Sequence, residues 1–137
     1  MAVNYRWDNE EKTVLRLVAS GQWTWQEFHR AAQISRVNMM NGGSRIDTIV
    51  DLRGGDRIPA GAVAHARTFG KPENPRQTGR TVVIGMDDET VRKISGEART
   101  LRVSEGHMIY FVATEDEVRT LLEEWWAADE QGNQFQE

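Results

Sequence analysis

Two arginines bracket a short glycine-containing stretch, Arg53-Gly54-Gly55-Asp56-Arg57, and a second turn, Pro59-Ala60-Gly61, follows almost at once. Guanidinium groups beside glycine backbone suit an anion such as phosphate, because fixed positive charge sits next to main-chain N–H groups that no side chain shields. The bland alternative is a solvated turn in which Gly54 and Gly55 supply unusual backbone angles and Asp56 pairs with an arginine. Neither a Gly-x-x-x-x-Gly-Lys-Ser/Thr element nor a Gly-x-Gly-x-x-Gly fingerprint is present, so nothing here specifies a nucleotide.

Other chemistries find fewer parts. The chain has no cysteine, which excludes disulfides, thiol nucleophiles and thiolate metal sites. His29, His65 and His107 are spread over two helical stretches and the approach to a strand, and none stands four residues from another, so no helical metal pair is offered. A Gly-x-Ser-x-Gly elbow is missing, and with it a serine triad. Asp47 and Asp51 share one face of a strand, and Asp87 and Asp88 follow another. A magnesium-binding receiver arrangement would also need an acidic pair after the first strand and a lysine after the last. The stretch Met108 to Thr114 contains no lysine, and Asp87 and Asp88 are better read as helix caps. No catalytic residue, cofactor or metal is therefore expected.

Aromatic residues are the remaining candidates. Trp7 and Trp125 fall at core-facing positions, and Trp23 precedes a helix start. Trp25 and Trp126 point elsewhere on their helices and are expected to be exposed, as is Met40. Exposed rings mark a partner or self-association surface, because each can bury a large area. For Trp126 the alternative is that the polar tail folds back over it.

The chain of 137 residues suits a single domain, residues 1–137, with a polar tail from about 128 to 137. A net charge of −4 argues against a chain built to coat nucleic acid or an anionic membrane. The start, Met1 to Tyr5, shows no basic segment leading into an apolar run, and no stretch approaches the roughly 18 apolar residues of a membrane span. A cytoplasmic protein is expected.

The elements that must position these residues follow from periodicity and caps. Val3, Tyr5 and Trp7 alternate with Asn4 and Arg6, a half-buried strand. Thr13 to Ser20 is apolar on both faces apart from Arg16, as a central strand should be, and the two form a hairpin. Thr24 and Glu27 stand in capping-box spacing with Trp23 and Phe28 as a hydrophobic staple, so a helix runs from Thr24 to about Met40, ended by Asn41-Gly42-Gly43. Ile46 to Leu52 is the third strand, and Arg53 to Ile58 the loop after it. Pro59 fits the first position of a second helix that stops at Gly70. Arg80 to Met86 is a fourth strand. Asp87 or Asp88 caps a third helix through Leu101, and Met108 to Val112 is the fifth strand. Thr114 and Glu117 repeat the capping-box spacing before a last helix carrying Val118, Leu121, Leu122 and Trp125 on one face. The order is ββαβαβαβα, an α/β fold whose mixed, mostly parallel five-stranded sheet is flanked by helices.

A hairpin leading into a capped helix, then IDTIVDLRG (46–54), PAGAVAHA (59–66), VVIG (82–85) and IYFVATEDEVRTLL (109–122), resembles the SpoIIAA-like, or STAS-type, domain over roughly Val3 to Trp126. The resemblance implies a small bacterial regulatory or protein–protein interaction module without catalysis of its own, acting on an unknown protein partner or as a homodimer. In phosphorylatable members the loop after the third strand leads to a serine or threonine at the start of the next helix. Here the matching stretch is Ile58-Pro59-Ala60-Gly61, which carries no hydroxyl, so a phosphoester switch is not expected. The candidate surfaces are Arg53 to Arg57 with Pro59, Ala60 and Gly61, and the pair Trp25 and Trp126. A second implication is a small apolar-ligand or lipid carrier related to Sec14-type domains, which requires a cavity lined by Trp, Met and Phe.

Overall fold

In the computed structural model, which describes residues 2–136 and the side chains of residues 2–132, the alternating Val3, Tyr5 and Trp7 form β1 (Val3–Trp7). It pairs antiparallel with β2 (Val14–Gly21), and Asn9 closes the hairpin by accepting from the Thr13 and Val14 N–H groups. The chain then runs through α1 (Trp25–Asn38), a short 3-10 turn at Met39–Asn41, β3 (Ile46–Gly55), α2 (Ala62–Ala66) and β4 (Gln77–Ile84). It ends with α3 (Asp88–Ser95), a second 3-10 turn at Gly96–Ala98, β5 (Thr100–Ser104), β6 (His107–Val112) and α4 (Glu115–Gln136).

The sheet has six strands in the order β1-β2-β3-β4-β6-β5, with β2, β3, β4 and β6 mutually parallel and both edges antiparallel. The expected fold class holds, with one strand more than expected. The added strand replaces the end of the third helix: Gly96 (φ 65°) and Arg99 (φ 57°) both take left-handed backbone, which a helix cannot absorb. Leu101, expected on the helix, instead pairs across β5 with Ile109.

The capping box at Thr24 and Glu27 forms in both directions and sets where α1 begins. Asp87 caps α3 by accepting from the Thr90 N–H, and Thr114 accepts from the Glu117 N–H at the start of α4. The second helix is shorter than expected. Pro59 lies outside it, and α2 starts after Gly61, whose φ of 93° turns the chain. The stretch expected as a polar tail continues α4, and Glu137 lies outside the described residues.

Period two divides the sheet into two unlike faces. Leu17, Ala19, Val50, Leu52, Val83, Ile109 and Phe111 pack with Trp25, Phe28, Ala66, Phe69 and Val91 beneath α1, α2 and α3. On the opposite face α4 alone covers Val14, Ile49, Val82 and Ile84 with Val118 and Leu122, and Leu121 and Trp125 pack alongside.

Candidate functional site

The apolar strip under α4 is flanked by two sets of charged side chains, because Arg16, Asp47, Asp51 and Arg80 alternate with its apolar residues along β2, β3 and β4. At one end Asp51, 6% exposed, accepts from Arg16 Nη1 at 2.8 Å and from Arg53 Nε at 3.0 Å and Nη2 at 2.8 Å. Arg16 also holds Asp8 and Glu115, and Arg53 holds Glu115. Burial alone would push the Asp51 carboxyl up, but the Arg53 side chain and backbone N–H, with Arg16, outweigh it and hold the group below the usual carboxylate range. The Arg16 guanidinium is held charged in turn, its burial outweighed by Asp8 and Glu115.

At the other end Asp47, 1% exposed, accepts from Arg80 Nε at 2.8 Å, from Thr78 Oγ1 and from Trp126 Nε1 at 3.1 Å. Arg80 reaches on to Asp129 and stands 5.2 Å from the centroid of the Trp125 ring. These networks tie α4 to the sheet at both ends. Spacing exposed only that Asp47 and Asp51 share a face; Arg53 is two residues from Asp51 on β3 itself, but Arg16, Thr78, Arg80 and Trp126 come from other strands and from α4, and no local signal reveals them.

The stretch expected as an anion loop is divided by this arrangement. Arg53, Gly54 and Gly55 are not loop residues but the end of β3, where Ser20 and Gly21 of β2 pair with Gly54 and Gly55. Gly55 permits this because a Cβ there would press on Trp23 Nε1 at 2.7 Å. Arg53 is spent on Asp51 and Glu115. Asp56 is exposed and its N–H donates to the Gly21 carbonyl, and Arg57 is exposed with no ion-pair partner among the described residues.

The turn that follows is built from beneath. Trp25, expected to be exposed, is 7% exposed, and its Nε1 donates to the carbonyl oxygens of Pro59 at 3.2 Å and Ala60 at 2.9 Å. The indole is drawn inward because it also meets Trp23, Phe28 and Phe69 at ring separations of 4.9, 6.0 and 5.7 Å. Those two carbonyls face the indole and not a following helical turn, which accounts for the late start of α2. His65 lies flat on Trp25, centroids 4.7 Å apart at 12°, and its Nδ1 meets His29 Nε2 at 2.9 Å. Sequence spacing separated these two histidines; packing of α1 on α2 joins them. His29 takes its proton less readily than a free imidazole, through burial first and then through His65 and Arg36. The third histidine, His107, is a satisfied core residue, 1% exposed and bonded to the Phe69 carbonyl at 2.7 Å. Among the described residues, no group of three or more His, Asp or Glu side chains gathers where it could hold a metal ion.

Trp126 is 38% exposed, one edge fixed by Asp47, and it borders a cleft of about 530 Å³ with Asn9, Thr13, Arg45, Arg80 and Asp129. Most of the lining residues are charged or polar and Trp126 is the one aromatic among them, with no Met or Phe of the kind expected of an apolar carrier. Met40 is 64% exposed and continues a stripe with Ile34 and Val37, at 43% and 72%, on the outer side of α1. The three-residue spacing of Ile34, Val37 and Met40 is visible in the sequence.

A solved structure shares this architecture: an uncharacterized protein from the DUF3478 family with a SpoIIAA-like fold, from Shewanella loihica PV-4, with a TM-score of 0.52 over 88% of this chain and 92% of that one. The two are 13% identical, so the likeness establishes the SpoIIAA-like fold and nothing about role. No protein-family model and no curated protein matches the sequence. Among the described residues no helix is long and apolar enough to cross a membrane.

Proposed function

We propose that this chain is a non-enzymatic docking module that engages a protein partner through the Arg57–Val63 surface, without control by phosphorylation. The observation that carries the reading is Trp25 holding both the Pro59 and Ala60 carbonyls from inside the core. A turn fixed in this way presents its outer side in one conformation, which lowers the ordering cost of binding. On that outer side Arg57 is exposed, with no ion-pair partner among the described residues, and Val63 is 48% exposed. By the sequence resemblance the turn matches the stretch that carries the acceptor in phosphorylatable SpoIIAA-like proteins, and Pro59, Ala60 and Gly61 offer no side-chain hydroxyl to phosphorylate. An anion site at this turn has less support, because Arg53 is committed within the fold and α2 is a single short turn without a side-chain cap.

The test is a photo-crosslinking residue placed at Val63 in the native host, with the same residue at Glu124 on the outside of α4 as control. One discrete protein adduct from position 63, lost on Arg57→Glu and absent from position 124, is the expected result. Equal labelling from both positions, or none from position 63, would end the proposal. The apolar-carrier reading is answered separately by native mass spectrometry, in which an added mass lost on denaturation would revive it.

A further inference from the structure

The contact between His29 and His65 has a geometry that limits what it can do. Its nitrogens are 2.9 Å apart while the ring centroids are 5.0 Å apart, so the two imidazoles meet nearly end on. Two rings sharing a metal ion would converge at an angle and bring their centroids closer for the same nitrogen separation. The end-on arrangement is a hydrogen bond, and it has room for one proton between the nitrogens. With both rings neutral, one donates and the other accepts. With one ring charged, the bond persists and is strengthened by the charge. With both charged, two N–H groups face each other and the contact must open.

What opens is the support of the turn. His65 is stacked on Trp25, Trp25 holds the Pro59 and Ala60 carbonyls, and the missing side chain of Gly61 leaves room for the His65 ring, 3.3 Å from where a Cβ would stand. The helix that carries His65, α2, has five residues and no side-chain cap, so it depends on such tertiary contacts. The charged or titratable groups acting on His29 are His65 from α2 and Arg36 from α1, both opposing its protonation. Arg36 is itself paired at 3.0 Å with Glu73 of the segment before β4. The Trp25 and Phe28 rings packed against the pair carry no charge.

We propose that the His29–His65 pair is a proton-operated latch on the Pro59–Gly61 turn, closed while at most one ring is charged and open when both are. Its regulatory sense, release of a docked partner on acidification, rests on the docking function proposed above; the latch itself does not. The experiment is nuclear magnetic resonance of the full chain, following the imidazole signals of His29 and His65 and the indole N–H signals of Trp25 and Trp125 as pH falls. The expected result is two linked imidazole steps separated by about one pH unit or more, with the Trp25 signal moving at the second step while Trp125, on the other face of the sheet, stays fixed. In His29→Gln, whose neutral amide can bond His65 in either protonation state, the Trp25 signal should no longer move in that range. If that variant does not fold, His65→Phe keeps a ring on Trp25 that cannot be charged, and the same loss is expected. Independent single-step titrations, or a Trp25 shift that survives in the variant, would overturn the latch. Failure of the docking reading would appear instead as an absent Val63 crosslink at neutral pH, with these titrations unaffected.

Discussion

Replacing Trp25 with phenylalanine separates what the indole does by packing from what it does by hydrogen bonding. The single Nε1–H is shared between two carbonyls at 3.2 and 2.9 Å, so at most one good bond is lost, about 0.5–1.5 kcal/mol. The low end of that range applies, since Pro59 is half-buried and Ala60 exposed. The smaller ring also abandons volume in a residue only 7% exposed, adding roughly 1–2 kcal/mol for lost burial and an incompletely filled cavity. Trp25→Phe should therefore lower unfolding stability by about 1.5–2.5 kcal/mol, read by urea denaturation with an unchanged m-value. Amide exchange adds the local half of the test. Protection of the amides around Gly61 should fall by more than global stability does, because the turn loses its anchor while the sheet does not. Equal loss of protection across the turn and the central strands would mean that Trp25 only fills space, and the account of the turn would be wrong.

Four further outcomes are expected. Arg16→Met leaves Asp51 with Arg53 alone and strips Asp8 and Glu115 of a buried partner, and should cost about 3–5 kcal/mol in chemical denaturation. Thr24→Ala removes one half of a formed capping box and should cost about 1 kcal/mol, with α1 amides fraying first in exchange. Gly79→Ala should lower stability markedly in chemical denaturation, since φ is 83° and the added carbon would overlap the Gly106 carbonyl, so that backbone must shift. Because His29 binds its proton less readily when folded, stability should be complete above the unfolded histidine value and fall as pH drops through it toward the lower folded value; a melting series in which His29→Gln shows the same fall would refute the assignment. Asp51, also held below its ordinary value, loses its contribution only at still more acidic pH.

How much could be read in advance depended on the range of the interaction involved. Alternation in Val3 to Trp7, the Thr24–Glu27 box and the apolar face of α4 are each written within a few residues and formed where the spacing placed them, and of the two caps the spacing allowed for α3, Asp87 and Asp88, Asp87 formed. The SpoIIAA-like order followed from them. Where local pattern misled, a tertiary contact or a backbone angle had intervened. Helical periodicity ran on past Ser95, but left-handed turns at Gly96 and Arg99 delivered Leu101 to a sheet edge. Proline at position 59 suited a helix start, but Trp25 claimed its carbonyl from 34 residues away.

By itself the sequence determined five of the six strands, the order of the elements around them and the absence of a hydroxyl at the Pro59–Gly61 turn, because these depend on residue type and short-range spacing. Only the tertiary structure decided that Arg53 is occupied, that Trp25 lies inside the core and that His29 and His65 share a hydrogen bond. Each of those outcomes brings together side chains from separate elements, and a separation of 36 residues along the chain carries no information about whether two rings will meet.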